Sequence, residues 1–292
     1  MIASSELIIN PDGSVFHLHL HPEQLADHVI LVGDPGRVEL ITSYFDSVEC
    51  TVKNREFVTS TGLYKGTRMT VCATGIGTDN IDIVVNELDA LANVDFSTRE
   101  IKDKKRRLNL VRIGTSGGLQ PFLDVNSFVI SRKAIGFDGL LNFYANRNEI
   151  SDLPFERALV EHLGWLSQLP SPYVVESSEA LFNQLKSDDF VEGVTISAPG
   201  FYGPQGRVLR LPLAMPEINS RIESFNFSGQ RITNYEMECS AIYGLAKLLG
   251  HQACTVCLII ANRLSKNANG DYHSQMRKLV VNVLDGLCES AR

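Results

Sequence analysis

Between Ile232 and Arg263 the chain spells out one complete structural unit, and that unit leaves few folds open. Ala241, Leu245, Leu248 and Leu249 recur at helical spacing, Gly250 stands where a helix C-cap belongs, and Thr255 to Ala261 read as a buried strand. Helix, tight turn and central strand in that order predict an α/β fold. Glu236 and Glu238 fall just before or within the first helical turn, with Met237 between them. Asn262 and Arg263 lie just past the carboxyl end of the strand, the edge at which open α/β sheets hold ligands. Acidic residues at a helix start are favoured by the macrodipole alone, so the two glutamates are as compatible with a structural role as with a functional one. Met237 between two carboxylates and an arginine at a sheet edge favours the grip on a polar ring. A carboxylate accepts two hydroxyl hydrogen bonds side by side, which suits the vicinal diol of a ribose.

Composition narrows the function classes. At 292 residues and 44% hydrophobic content the chain can bury one large core. A net charge of −7 argues against general nucleic-acid binding, which needs a basic face for phosphates. No apolar run reaches about 18 residues, and the first residues lack the basic and apolar regions of a signal peptide, so the expectation is a cytoplasmic protein. Six cysteines scattered at 50, 72, 239, 254, 257 and 288 make no disulfide framework. Cys254 and Cys257, three apart on a strand, point to opposite faces and read as core residues rather than a metal pair.

Two further stretches carry chemistry. His28 to Gly33 reads as a buried strand running into Gly33-Asp-Pro-Gly-Arg37 and a helix, a turn whose free backbone N–H groups, with the helix dipole and Arg37, make an anion site. Leu110 to Pro121 is a strand that carries Arg112 and ends in Gly114-Thr-Ser-Gly-Gly118. An arginine inside a strand needs an anion. A phosphate cradle with Thr115, Ser116 and the glycine N–H groups is favoured over an ion pair to an internal carboxylate. Ala198 to Arg207 packs Phe201, Gln205 and Arg207 into a Gly/Pro-rich loop able to stack on a base and read its edge, or equally to be a surface turn. Ile81, Val84, Val85, Leu88, Leu91 and Ala92 form the apolar face of a helix, and residues 99–107 form a charged, solvated insertion. With no repeat or linker, the chain reads as a single domain with an N-terminal arm at 1–27 and the insertion at about 95–108.

These motifs together resemble the nucleoside phosphorylase family, and within it the uridine-cleaving branch. The matching stretches are Val15-Phe-His-Leu18, Gly33-Asp-Pro-x-Arg37-Val38, Arg55-Glu-Phe57, Thr74-Gly-Ile-Gly77, Arg112-Ile-Gly-Thr-x-Gly117 with Gln120-Pro121, Phe201-Tyr-x-x-Gln205-x-Arg207, Asn234-Tyr-Glu-Met-Glu238 and Asn262-Arg263. They span nearly the whole chain in the family's order. The resemblance implies a three-layer fold with a central mixed, largely parallel sheet flanked by helices. It implies phosphate on Gly33, Arg37, Arg112 and Thr115, with Arg55 lent to a neighbouring subunit's phosphate. Ribose would lie on Met237, Glu238 and Glu236, with His17 crossing from the partner to the 5′-hydroxyl. The base would lie on Ser116, Gly117, Phe201, Gln205, Arg207, Ile260 and Arg263. A homo-oligomer follows, a dimer at least and commonly a hexamer.

The implied activity is that of a pentosyltransferase without a cofactor: phosphate, the co-substrate, attacks C1′ and the pyrimidine leaves. Arg37, Arg112 and Glu238 would carry the catalysis. Asn262 replaces the aspartate with which purine-specific relatives protonate their base. Glu56 and Ile76 match a potassium site between subunits, and Asn80 replaces its serine. The insertion has no counterpart in the shorter bacterial members. The alternatives are a purine nucleoside phosphorylase, a nucleosidase using water, and a nucleoside-binding protein with an inactive site.

Overall fold

The structure, a computed structural model, describes residues 1–289. The strands are β1 (His28–Val32), β2 (Ser47–Asn54), β3 (Phe57–Tyr64), β4 (Thr67–Ala73), β5 (Val94–Asp95), β6 (Glu100–Ile101), β7 (Asn109–Gly118), β8 (Phe128–Gly136), β9 (Tyr173–Glu176), β10 (Phe190–Ser197), β11 (Ile232–Glu236) and β12 (Gln252–Asn262). The helices are α1 (Gly36–Thr42), α2 (Thr78–Asn93), α3 (Arg147–Ile150), α4 (Leu153–Leu163), α5 (Glu179–Leu185), α6 (Ile218–Ser224), α7 (Cys239–Leu249) and α8 (His273–Glu289).

Ten strands form one mixed sheet in the order β2-β3-β4-β1-β7-β12-β8-β10-β11, with β9 beside β8. β4, β1, β7 and β12 run parallel at its centre, and β2, β3 and β4 form an antiparallel meander at one edge. At the other end β11 returns antiparallel to β7, pairing Asn234 with Gly118 and Tyr235 with Gly117. Hydrogen bonding therefore runs round β7, β12, β8, β10 and β11 and back to β7, so this half of the sheet closes on itself. The closure carries Glu236 to the edge at which β7 ends.

The layers follow from the sequence pattern. β1 is His-Val-Ile-Leu-Val with its last four residues buried, as a strand covered on both faces must be. On one face α2 presents Ile81, Val84, Val85, Leu88 and Leu91 to α7 and the strands. On the other, α1, α5 and α8 cover Val111, Ile113, Cys254, Val256 and Leu258. α4 and α6 close a third cluster around Phe155, Ile196 and Tyr235. The helix-turn-strand unit has the expected form: Gly250, at φ 83°, ends α7 in the left-handed conformation that glycine adopts without steric cost.

The charged insertion at about 95–108 is less loose than its charge suggests. β5 and β6 pair as a hairpin, and Arg99, Lys102 and Arg106 bond back to the body of the chain. Among the described residues no helix is long and apolar enough to cross a membrane.

Candidate active site

Register gathers the motifs expected to bind an anion. Leu31 pairs with Arg112 and Val32 with Ala73, so Gly33, Thr74-Gly75 and Gly114-Thr115 all leave the sheet at one edge. A Cβ on Gly33 would lie 3.4 Å from the Gly75 carbonyl oxygen, so the two turns touch. Arg37, half-buried in the first turn of α1, points Nη1 at the Ile113 carbonyl oxygen, 3.5 Å away. Arg112 is buried, and its guanidinium passes directly over Gly114, where any Cβ would overlap it. Thr115 is half-buried, and the buried Ser116 hydroxyl has no hydrogen-bond partner among the described residues.

Arg112 has the internal carboxylate partners that stood as the alternative to the phosphate cradle. Its Nη2 bonds to Glu238 Oε2 and lies 3.4 Å from Glu236 Oε2. The ion pair raises the guanidinium pKa against burial, which by itself lowers it. Stripping one partner from a buried pair of this kind costs roughly 3–5 kcal/mol, so Arg112 can leave Glu238 only for another anion. Glu238 Oε1 accepts from the Gly77 N–H at 2.7 Å. Gly77 precedes α2 at φ 102°, a conformation that favours glycine, while Glu238 itself precedes α7. The positive ends of two helices thus converge on one carboxylate.

Glu236, placed among the ribose contacts by the resemblance, has its oxygens engaged by the chain itself. Its carboxylate accepts from Ser197 Oγ at 2.5 Å and from the N–H groups of Glu238 at 2.9 Å and Cys239 at 3.0 Å. It therefore ties down the first turn of α7 and aims Glu238, the structural role that a helix start alone would predict. Burial pushes its carboxyl up to about 7, with Arg112 pulling it down and Glu238 adding like-charge repulsion. Behind it, Ser240 donates its N–H to Ser197 Oγ at 2.8 Å and its hydroxyl to Asp138 at 3.1 Å. Tyr173 also donates to Asp138, at 2.9 Å, and burial raises the Asp138 pKa. Nothing in the sequence marked Asp138, which lies in an ordinary Gly136–Gly139 turn.

The residues expected to read a base come together from two distant stretches. Gln205 Oε1 accepts from Arg207 Nη1 at 2.8 Å and from Arg263 Nη2 at 3.0 Å. The Arg207 guanidinium lies 3.5 Å from the Phe201 ring centre, and a Cβ on Gly117 would lie 3.3 Å from Arg263. Burial and the like charge of Arg263 lower Arg207 to about 10, and burial lowers Arg263. Arg263 Nε is buried without a partner among the described residues. Ile260 is half-buried and packs against the core beneath α8. An apolar cavity of about 740 Å³ adjoins this group, lined by Tyr202, Pro204, Trp165 and Met215. Neither Arg37, Arg112 nor Glu238 lines this cavity, so the candidate site is the polar cluster beside it.

Asn262 is committed to backbone. Its Nδ2 donates to the carbonyls of Gln120 at 3.0 Å and Leu123 at 2.7 Å, and its Oδ1 accepts from the N–H groups of Leu264 and Ser265. It latches two loops together and has no proton to give. Met237 is half-buried beside Glu238. Asn54 joins His17 to its neighbour Arg55 by donating to the His17 carbonyl oxygen, and Arg55 is exposed at φ 53° and 5.2 Å from the Phe16 ring centre. Glu56 and Asn80 both crowd Gly75, and Ile76 beside them is exposed. The carboxylate and amide oxygens fit a hard cation better than a transition metal. Cys254 packs in the α8-side core, whereas Cys257 lies 3.6 Å from Arg112 on the opposite face. Burial pushes both thiols up to about 12, which makes them inert.

The comparisons with known proteins agree with this geometry. The family described as the phosphorylase superfamily matches residues 27–289. The uridine phosphorylase of Thermococcus kodakarensis is 29% identical over 90% of this chain and 82% of its own length. The guanosine phosphorylase of Halorubrum lacusprofundi is 25% identical over 87% and 86%. A solved Trypanosoma brucei nucleoside phosphorylase, described as showing uridine phosphorylase activity, superposes with a TM-score of 0.88 at 30% identity, covering 97% of this chain and 99% of that one. With a match that runs from residue 27 to residue 289, the chain belongs to the phosphorylase superfamily.

Proposed function

We propose that the protein is a uridine phosphorylase, a pentosyltransferase that converts uridine and phosphate to uracil and ribose 1-phosphate in pyrimidine salvage. The observation that carries this reading is Gln205 held between two guanidinium groups beside Phe201. Uracil presents two carbonyl oxygens flanking one N–H, and a carboxamide with two arginines is the complement of that edge. Negative charge develops on the pyrimidine as it leaves, so donors aimed at its carbonyls bind the transition state more tightly than the substrate.

The other roles follow from the same geometry. Phosphate collects on Arg37, Arg112, Thr115 and the Gly33 turn, with Arg55 supplied by a second copy. As it arrives it takes Arg112 from Glu238 and so frees that carboxylate for the 2′- and 3′-hydroxyls. Both reactants are then held in line, and the attack on C1′ becomes effectively intramolecular. No protein nucleophile is required. A homo-oligomer, a dimer at least, working in the cytoplasm is part of the proposal, as is a monovalent cation near Glu56, Ile76 and Asn80.

The guanosine phosphorylase relative gives the purine reading a specific basis, and the backbone-bound Asn262 weighs against it because a purine leaving group needs a proton. Incubation with uridine, inosine and guanosine, each with and without phosphate, decides between them. The expected result is phosphate-dependent release of uracil from uridine. Release that ignores phosphate, or turnover of the purine nucleosides alone, overturns the proposal.

A further inference from the structure

His17 is held by a residue that the sequence hid in an apolar helical stripe. The Glu87 carboxylate, projecting from α2, accepts from the His17 N–H at 3.0 and 3.1 Å and from the Leu18 N–H at 2.8 Å. The same carboxylate lies 2.6 Å from His17 Nδ1. Asn54 adds a bond from Nδ2 to the His17 carbonyl at 2.8 Å, next to Arg55. Backbone and ring are thus fixed by one buried carboxylate. An ionised carboxylate only accepts, so Nδ1 carries the proton. Nε2 is the nitrogen turned outward: it has no hydrogen-bond partner among the described residues, and the side chain is 28% exposed.

We infer that Glu87 is a positioning residue for sugar recognition. It sets the tautomer and orientation of His17 so that Nε2 meets the 5′-hydroxyl of a bound nucleoside. The inference rests on the proposed nucleoside phosphorylase reading. A carboxylate behind a histidine commonly selects which nitrogen is presented and how basic it is. A Glu87 that only held the turn at residues 16–18 would need the two backbone bonds and not the third, to the ring.

The test compares uridine with 5′-deoxyuridine in the wild type, Glu87→Ala, Glu87→Gln, His17→Ala and the Glu87→Ala/His17→Ala double variant. Losing the hydrogen bond to the 5′-hydroxyl costs up to about one decade, so Glu87→Ala raises the KM for uridine by up to about ten-fold. Its kcat and its KM for phosphate stay near wild type. Glu87→Gln, which keeps the shape and an acceptor oxygen, recovers part of the loss. Wild type and variants handle 5′-deoxyuridine alike, and the double variant is no worse than His17→Ala. Nitrogen NMR of the His17 ring, which needs no substrate, shows the Nδ1–H tautomer in the wild type and its loss in Glu87→Ala. Equal losses on the two nucleosides, additivity with His17→Ala, or an unchanged tautomer each overturn the inference. A wild type inert to uridine overturns the proposed function instead, and the tautomer comparison still decides whether Glu87 sets the ring.

Discussion

A buried carboxyl pushed up to about 7 changes charge where enzymes work, and Glu236 is such a group. Its folded pKa lies above the ordinary value of 4.5, so the folded protein holds the proton more tightly than the unfolded chain does. Stability therefore falls as pH rises between those two values and is flat outside them. Glu236→Gln removes the titration and keeps the shape. Urea denaturation at about pH 5 and about pH 8 should show the wild type losing stability relative to the variant as pH rises. A difference that does not move with pH would mean that the carboxyl ionises at its ordinary pKa. Among single residues, Glu236 and Glu238 could be picked out from the sequence because they flank a methionine at a helix start. Their division of labour could not, since it depends on Ser197 and Gly77, 39 and 161 residues away in the chain.

The N-terminal arm and the hairpin of β5 and β6 act as one element. Arg99 donates to the carbonyls of Ile2, Ala3 and Leu7, and the Ile2 N–H bonds back to the Arg99 carbonyl at 2.7 Å. The hairpin is anchored in turn by Arg106, on Asp27 and the Leu25 carbonyl, and by Asn93. Arg99→Ala removes up to three charge-assisted bonds, each worth roughly 1.5–3 kcal/mol at most, and the loss falls on a local opening rather than on the global fold. Amide exchange at Glu6 and Leu7 should quicken by one decade or more, on the same argument, while the α2 amides keep their rates. Unchanged exchange at Glu6 would show that the guanidinium is not the latch. Charge density alone marked 99–107 as solvated. Carbonyl acceptors, which arginine needs here, leave no trace in a residue string.

At the scale of the whole molecule the proposal is a site built from two copies. If Arg55 serves the neighbour's phosphate while Glu238 serves its own chain's ribose, Arg55→Ala and Glu238→Gln damage different halves of each site. Co-expressed, the two inactive variants should recover about one quarter of wild-type activity, because half the dimers are mixed and each mixed dimer holds one intact site. No recovery from a verified mixed dimer would place both residues in one protomer's site.

The α/β class, the central strands, the helix-turn-strand unit and the glycine turns were decided by the sequence alone, because periodicity and turn chemistry are local properties. Arg112 stood out in the same way, as an arginine inside a strand, whereas Gln205 and Arg207 lay in a loop that the sequence left equally open as a surface turn. Tertiary structure decided how they are joined: that Arg112 rests on Glu238, that Gln205 meets Arg263, that Asn262 is consumed by backbone, and that Glu87 reaches His17. The first of these comes from the parallel register and the return of β11 to β7, and all of them join residues tens to more than a hundred positions apart. Local pattern carries no information about distance of that kind.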